Sequence, residues 1–450
     1  MKENNLSSRV SVPAATKVLL IDTNRWPVTA RLAIAFTRMN CIVAAVCPMP
    51  DHPIQKVRGV HRFFRYSGHS PLKSLRRAIE AFDPNIVIPS CDRSVLHLHE
   101  LHALLQLQGS SGEQIALLIE RSLGPPESFP VVSGRYDLLS AARDEGILVP
   151  KTVAVNTVAH LDQMIAAIDK PWVFKADGTW GGRGVRVAHS ITEATEHYLE
   201  LTQPVRTLDL IKRLILDHDR DFALLDWRQS RPAVIAQSFI DGRPANCAVA
   251  CWQGKILAGI AVEVISAQGP KGPATIVQVV QGTKMLATAE KIARRLSLSG
   301  FFGLDFMIEN KTGVTYLIEM NPRCTPLCPL PLANQRNLVA AMLAQLTSQP
   351  LSGDEYAIKE SIIAYFPQVR ARVGELHDLN FRNSIYHDIP QGEPELIQEL
   401  LHPKSERSLA GRLVDILRRV WFQEKIPKSC DFSGVMTSQV AAIVDPDAPV

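Results

Sequence analysis

The stretch of sequence that decides the fold is FFGLDFMIENKTGVTYLIEMNPR, residues 301–323. Apolar residues occupy even positions on both sides of the turn at 310–313, which predicts a β-hairpin. A slip of one residue would turn one apolar set to solvent, so we expect the even positions of both strands to share one face. Asp305 and Glu319 then lie near each other on the opposite face of the hairpin.

Two carboxylates on adjacent strands are typical of a cation site. Cross-strand Cβ atoms on one face lie about 5 Å apart, and the charges repel unless a proton or a cation lies between them. Asn321, two residues after Glu319, adds a third oxygen to the same face. An all-oxygen set predicts Mg²⁺ (or Mn²⁺), which takes water and phosphate oxygens as its other ligands. The alternative is an ordinary solvated hairpin face.

A second motif lies upstream, in PWVFKADGTWGGRGVRVA, residues 171–188. Alternating apolar residues at both ends predict two strands joined by a glycine-rich loop. Its glycines are Gly178, Gly181, Gly182 and Gly184. Backbone N–H groups of such a loop can approach an anion, and Lys175 on the first strand adds a charge suited to phosphate. The P-loop pattern is missing, so the loop alone also fits a flexible hairpin tip.

The N-terminal region predicts a parallel sheet. Apolar runs there alternate with helical patterns, at residues 17–21, 27–39, 42–46, 71–82 and 85–88. Strands that alternate with helices indicate a doubly wound, Rossmann-like lobe, which we place at residues 1–125. The prolines that follow read as a linker.

Composition restricts the function classes. The chain has 450 residues, enough for about three lobes, and 46% of them are hydrophobic. The net charge of +4 argues against a polybasic binder of nucleic acid or membrane surfaces. The sequence shows no secretory signal, no membrane-spanning apolar run and few cysteines, so we expect a cytoplasmic protein in a reducing compartment.

The two motifs together resemble the ATP-grasp superfamily, in the carboxylate-amine ligase-like arrangement that carbamoyl-phosphate synthase and biotin carboxylase also share. The resemblance covers about residues 17–330. It implies an α/β and α+β architecture, with an ATP-grasp domain of antiparallel sheets and helices at 126–350. Within that domain it implies a smaller central lobe at about 136–237 and a metal-binding, catalytic lobe at about 238–350. Residues 351–450 are expected to form a C-terminal extension.

The resemblance also implies roles for individual residues. Arg135 and Lys175 match basic residues that hold ATP phosphates, and the glycine loop matches a flap that covers them. The segment from Gln237 through Ser238 and Phe239 to Ile240 resembles the adenine hinge. The metal ligands would be Asp305, Glu319 and Asn321, and Arg323 would face the transferred phosphoryl group or the acyl phosphate.

By this resemblance the protein is expected to be an ATP- and Mg²⁺-dependent ligase. It would activate a small-molecule carboxylate as an acyl phosphate and pass it to an amine, releasing ADP and phosphate. Two alternatives stay open: a carboxylase-like enzyme that activates bicarbonate, and a non-catalytic ATP-binding regulatory module. No nucleic-acid or membrane partner is expected, and a homo-oligomer is left open.

Overall fold

The structure is a computed structural model of the 450-residue chain. It describes residues 15–159, 161–178, 184–203, 232–269, 272–333, 336–349, 357–369 and 385–402. Gly181 and Gly182 of the predicted loop therefore lie outside the described residues.

The N-terminal lobe is a parallel sheet between helices, as the sequence predicts. Its strands are β1 (Lys17–Ile21), β2 (Ile42–Cys47), β3 (Val60–Arg65) and β4 (Ile86–Pro89), in the spatial order β3-β2-β1-β4. Its helices are α1 (Pro27–Arg38), α2 (Pro71–Phe82), α3 (Asp92–Leu107) and α4 (Glu113–Leu123). Strands β1 and β4 are short and, apart from Lys17, apolar, because helices cover both faces of the sheet. Strands β1 and β4 are separated in the chain by β2 and β3, yet they pair side by side in parallel, so their carboxyl ends meet at one edge.

A small antiparallel sheet forms the central lobe. Two short helices, α5 (Phe129–Ser133) and α6 (Arg135–Asp144), lead into it from the N-terminal lobe. Its strands are β5 (Thr152–Val155), β6 (Trp172–Ala176), β7 (Val185–Ala188) and β8 (Val234–Ser238), in the order β5-β8-β6-β7. Helices α7 (Leu161–Ile165) and α8 (Ile191–Thr202) pack on it.

A larger sheet forms the third lobe. Among the described residues its order is β13-β12-β9-β10-β11-β16-β17. These strands are β9 (Gly242–Trp252), β10 (Lys255–Ala267), β11 (Ala274–Val280), β12 (Gly300–Glu309), β13 (Thr315–Asn321), β16 (Ile362–Tyr365) and β17 (Ile385–Asp388). A separate small ribbon pairs β14 (Pro331–Leu332) with β15 (Arg336–Asn337). Strands β16 and β17 come from the predicted C-terminal extension, yet they extend this sheet.

Two helices cover the two faces of the large sheet, α9 (Thr283–Leu296) and α10 (Leu338–Thr347). Strand β9 shows the alternation clearly, since Cys247 and Val249 pack with α9, whereas Ala248 and Ala250 pack with α10. A last helix, α11 (Pro394–Leu401), follows β17. No helix in the described part of the chain is both long and apolar enough to cross a membrane.

The predicted hairpin is present, but one part of its register is wrong. Asp305 pairs with Glu319, while the next residue, Phe306, pairs with Leu317, so a β-bulge leaves Ile318 as an extra residue in β13. The buried apolar residue of β13 is therefore the odd-numbered Leu317, and not Ile318. Because the bulge lies beyond Asp305, the predicted opposition of the two carboxylates is unaffected.

The segment after β16 ties the N-terminal lobe to the large sheet. Arg31 of α1 forms a buried ion pair with Asp388 at the end of β17. The Arg38 guanidinium donates to the carbonyl of Gln391 at 2.9 Å. These contacts hold the first lobe against the sheet that carries the carboxylate pair.

Candidate active site

The carboxylate pair lies at the carboxyl end of the hairpin, among amide donors. Asp305 is the register partner of Glu319 on one side and of Asn246 on the other. The side-chain amides of Asn246 and Asn321 donate to Asp305, at 2.5 and 3.1 Å. Amides orient a carboxylate, but they do not neutralise its charge.

The two carboxyl groups titrate as a pair. Burial raises the pKa of Asp305, and the nearby Glu319 charge raises it further. Burial also acts to raise the pKa of Glu319, but Arg135 and Lys175 outweigh it and lower that pKa. Because the pKa of Asp305 is raised and that of Glu319 is lowered, the pair favours a proton on Asp305 beside a charged Glu319. A divalent cation would take the place of that proton, and the oxygen donors suit Mg²⁺.

Lys175 projects from β6 toward the pair. Its side chain is buried, and burial lowers its pKa to about 8, with Arg135 acting in the same direction and Glu319 against it. Burial disfavours the charged form of a lysine, and nearby anions stabilise that form. Lys175 is therefore placed to meet an anion near the carboxylates, as the sequence predicts for a phosphate-binding lysine.

Arg135, at the first position of α6, bridges two lobes. Its Nη1 donates to the carbonyl oxygen of Ala176 and lies 3.4 Å from Asp177 Oδ1. Its Nε donates to Glu319 Oε2 at 3.3 Å. The structure thus brings Arg135 together with β6 and the hairpin, as a phosphate-binding role would require.

Arg323, just after β13, has a hydrogen-bond partner at each of its three guanidinium nitrogens. Its Nε donates to Asp92 Oδ1 at 3.0 Å, and its Nη2 donates to Asn321 Oδ1 at 3.0 Å. Nη1 donates to the carbonyl oxygen of Cys324, and the guanidinium lies 4.4 Å from the ring centroid of Trp26. Arg323 therefore connects the carboxylate face to the N-terminal lobe.

Asn321 lies beside the carboxylate pair, but its amide nitrogen, and not its oxygen, faces Asp305. Its Nδ2 points to Asp305 and its Oδ1 accepts from Arg323. The amide would have to flip for its oxygen to bind a cation beside Asp305.

The predicted adenine hinge lies where the chain passes from the small sheet to the large one. Gln237 is buried and its amide donates to Thr152 Oγ1 at 3.1 Å, which holds it within the small sheet. The backbone N–H groups of Ser238 and Phe239 donate to Lys151 and Pro171. Ile240 follows, and β9 begins at Gly242. Among the described residues, no hydrogen bond joins this segment to the carboxylate pair.

The described ends of the glycine loop are held by β6. Ala176 N–H donates to the carbonyl oxygen of Gly184 at 3.1 Å, which closes the strand pair below the loop. Gly178 has a φ of +70°, a conformation that favours glycine. These ends lie directly beyond Lys175 in β6.

Sequence reasoning missed four side chains at this site: Trp26, Asp92, Asp177 and Asn246. Asn246 carried a usable signal, because it is a lone amide in the apolar strand ANCAVAC. Asp177 follows Lys175 at the two-residue period of one strand face. Trp26 and Asp92 come from another lobe and carried no local signal.

Residues 132–326 match the family model described as "ATP-grasp domain". The sequence of these residues is similar to that of an ATP-grasp domain. The match includes Arg135, Lys175 and the whole hairpin, and it agrees with the prediction of an ATP-dependent ligase of this superfamily. No curated protein matches the sequence.

Solved structures share the fold of the ATP-grasp domain and its N-terminal lobe. N5-carboxyaminoimidazole synthetase from Staphylococcus aureus, complexed with ADP, has a TM-score of 0.52 at 14% identity, covering 75% of this chain and 79% of that one. Biotin carboxylase from Campylobacter jejuni, complexed with β,γ-ATP, has a TM-score of 0.54 at 15% identity, covering 76% and 72%.

A third similar structure contains ADP and a second small molecule. N5-carboxyaminoimidazole synthase from Aspergillus clavatus, in complex with ADP and 5-aminoimidazole ribonucleotide, has a TM-score of 0.53 at 14% identity, covering 77% of this chain and 80% of that one. At such low identity these similarities establish the fold alone. They confirm the predicted fold class.

Proposed function

We propose that this ATP-grasp protein is an ATP- and Mg²⁺-dependent ligase that activates a carboxylate as an acyl phosphate and transfers the acyl group to an amine. ADP and phosphate are the other products. The observation that carries the proposal is the convergence of three elements on one spot. The Asp305–Glu319 pair, Lys175 and Arg135 come from the hairpin, the small sheet and α6, and they interact electrostatically.

This arrangement suits phosphoryl transfer. The transferred group carries charge that must be neutralised while the carboxylate attacks in line. Lys175 and Arg135 would bind phosphate oxygens, and Asp305 and Glu319 would hold Mg²⁺, which supplies further charge neutralisation when bound. Arg323 would bind the acyl phosphate, and the glycine loop beyond Lys175 would exclude water from this labile group. No covalent nucleophile is needed.

The remaining site assignments belong to the same proposal. Gln237, Ser238, Phe239 and Ile240 would hold the adenine, and Asn321 would complete the metal set after its amide flips. The domain boundaries at 125 and 350 remain predictions. Strands β16 and β17 continue the large sheet beyond residue 350.

The direct test is ADP release by the full chain with ATP, Mg²⁺ and a matrix of small carboxylates and amines. Turnover that requires both a carboxylate and an amine supports the ligase. Bicarbonate should be among the carboxylates, since one of the similar structures is a biotin carboxylase. ADP release with bicarbonate and no amine would favour the carboxylase-like alternative. ATP binding without turnover under every condition would favour the regulatory module.

A further inference from the structure

We propose that Asp92, on the N-terminal lobe, binds the acceptor substrate, and that this acceptor is a cationic primary amine. The inference rests on the proposed ligase function, because it assigns the second substrate of that same site. It is argued from the junction at which Asp92 meets Arg323.

Asp92 is the accessible half of its ion pair with Arg323. The side chain of Arg323 is 6% exposed, whereas that of Asp92 is 44% exposed. One carboxylate oxygen of Asp92 accepts from Arg323 Nε, and the hydrogen bonds of the described residues leave its other oxygen open. A molecule that approaches the pair from solvent therefore meets a carboxylate first, and a carboxylate selects a cation.

The surroundings of Asp92 are set by two neighbouring strand ends. Thr23, after β1, contacts Cys91, after β4, with Oγ1 and Sγ 3.2 Å apart. Asn24 and Asp92 are the next residues on each side of this contact, so both belong to one junction. Trp26, from the same segment as Asn24, lies over the Arg323 guanidinium.

The same strand ends hold oxygen acceptors without donors. Asn24 Oδ1 and Ser90 Oγ are buried and lack a hydrogen-bond partner among the described residues. Both oxygens are closed to solvent, so an acceptor that arrives from solvent would meet the exposed carboxylate of Asp92 first. A primary ammonium carries three N–H donors and one positive charge. Asp92 would balance that charge and accept one of these N–H groups through its second oxygen.

Because Asp92 lies beside Arg323, an amine on Asp92 and an acyl phosphate on Arg323 would be neighbours. Arg323 would hold the acyl phosphate, and the ammonium on Asp92 would lie next to its carbonyl carbon. The ammonium gives one proton to Asp92, and its lone pair then attacks that carbon. The C–N bond forms, the C–O bond to phosphate breaks, and the electrons leave on phosphate. The sum is RCO–OPO₃²⁻ + R′NH₃⁺ → RCO–NHR′ + HPO₄²⁻ + H⁺.

A cationic acceptor would distinguish this protein from one of the solved structures that share its fold. The acceptor present in the Aspergillus clavatus enzyme is 5-aminoimidazole ribonucleotide, whose ring amine carries no positive charge near neutral pH. A neutral amine has no need of a carboxylate. An exposed Asp92 is therefore a specificity element for a charged acceptor.

The first experiment needs no turnover. Thermal shifts of the full chain with MgADP are measured with L-alanine, L-lysine, ethanolamine and putrescine, each against its N-acetylated derivative. We expect at least one free amine to raise the Tm, its acetylated form to do so less, and Asp92→Asn to remove the difference. Glu113→Gln is the matched control, since Glu113 is an exposed acid in the first turn of the neighbouring helix α4. Equal shifts by free and acetylated compounds, or no shift by any amine, would overturn the proposal.

The second experiment uses hydroxylamine, a nucleophile that is uncharged near neutral pH and traps acyl phosphates as hydroxamates. In Asp92→Asn, the ratio of amine-dependent to hydroxylamine-dependent product should fall about 10- to 100-fold, the loss expected for a hydrogen bond to a charged group. Asp92→Glu should restore much of the ratio. An equal loss of both products would show that Asp92 only positions Arg323, which contradicts the proposal. If amines bind through Asp92 but no ADP is released with any carboxylate, the ligase function fails while the binding site stands.

Discussion

Asp22 and Asp305 are two carboxylates of this protein whose hydrogen-bond partners differ in kind. Asp22, at the end of β1, accepts four hydrogen bonds, from the backbone N–H groups of Asn24 and Trp26, from Thr29 Oγ1 and from His52 Nε2. Asp305 accepts from two neutral amides and faces another acid, Glu319. The first carboxylate accepts four hydrogen bonds within the chain, whereas the second forms no ion pair among the described residues and has Lys175 only as an electrostatic neighbour.

The difference separates an acid with four internal hydrogen bonds from one that we propose binds Mg²⁺. His52 Nδ1 accepts from the backbone N–H of Ile54, so its ring proton lies on Nε2 and points to Asp22. Asp22 thereby fixes the turn that leads to Trp26, which in turn packs on Arg323. At the other pair, Glu319 accepts from Arg135 Nε at 3.3 Å, whereas Asp305 accepts only from amides. Burial and the charge of Glu319 both raise the pKa of Asp305, and we propose that Mg²⁺ binds there.

The largest expected effect is on catalysis. We expect Asp305→Asn combined with Glu319→Gln to lower ADP release by at least about 100-fold, because charge neutralisation of the phosphoryl group is lost. The same change should alter the Tm little, because the repulsion that it removes is offset by the loss of the Arg135–Glu319 ion pair. Glu309→Gln, on the same hairpin but outside the pair, is the control. Full ADP release by the double variant would contradict the metal assignment.

Asp22→Asn should have the opposite signature. Replacing this carboxylate leaves buried donors without an acceptor, at a cost of about 3–5 kcal/mol in the free energy of unfolding. Urea denaturation measures the loss. Asp169→Asn is the matched control, because Asp169 pairs with Lys151 at 3.2 Å on an exposed surface, where such pairs contribute about 0–1 kcal/mol. An equal loss in both variants would remove the distinction between the two acids.

The N-terminal lobe should also be the acid-sensitive part of the molecule. Burial lowers the pKa of His97 and of His99 to about 4, with Arg93 and His102 acting in the same direction. The unfolded chain binds their protons below about pH 6.5, so stability is present above that pH and is lost as the pH falls toward 4. We expect about 2–3 kcal/mol from each histidine over this range.

Denaturation at several pH values tests this expectation. His99 stacks on Phe129 with ring centroids 3.8 Å apart, so His99→Phe should keep the packing and flatten the pH dependence. His189→Phe, at an exposed histidine, should leave the pH dependence unchanged. A steep acid loss that persists in His99→Phe and in the matching His97→Phe would assign it to other groups.

The smallest expected effect is stabilisation by the metal ion itself. Millimolar Mg²⁺ should raise the free energy of unfolding of the wild type by about 1 kcal/mol, since it binds the folded state only. Asp22→Asn should retain this gain, and the Asp305/Glu319 double variant should lose it. EDTA should reverse the gain in a melting experiment. Stabilisation of the double variant by Mg²⁺ would place the ion elsewhere.

Much of the ATP-grasp fold could be predicted from local patterns. Lys17–Ile21 and Ile42–Cys47 are short apolar runs between helical segments, and they became parallel strands. The hairpin was predictable for the same reason, since its alternation and its turn lie within one short stretch. The register beyond Asp305 was not predictable, because the bulge depends on Leu317 packing against the large sheet.

The sequence by itself determined the residue types, their spacing along each strand and the opposition of Asp305 to Glu319. These features are local, because a strand alternates its side chains and a hairpin joins neighbours in the chain. Only the tertiary structure decided that Arg135, Lys175 and Glu319 meet, and that Asp92 and Trp26 of the first lobe hold Arg323. Those residues lie far apart in sequence, and their contacts depend on how packed lobes bury shared apolar surface, which no local pattern encodes.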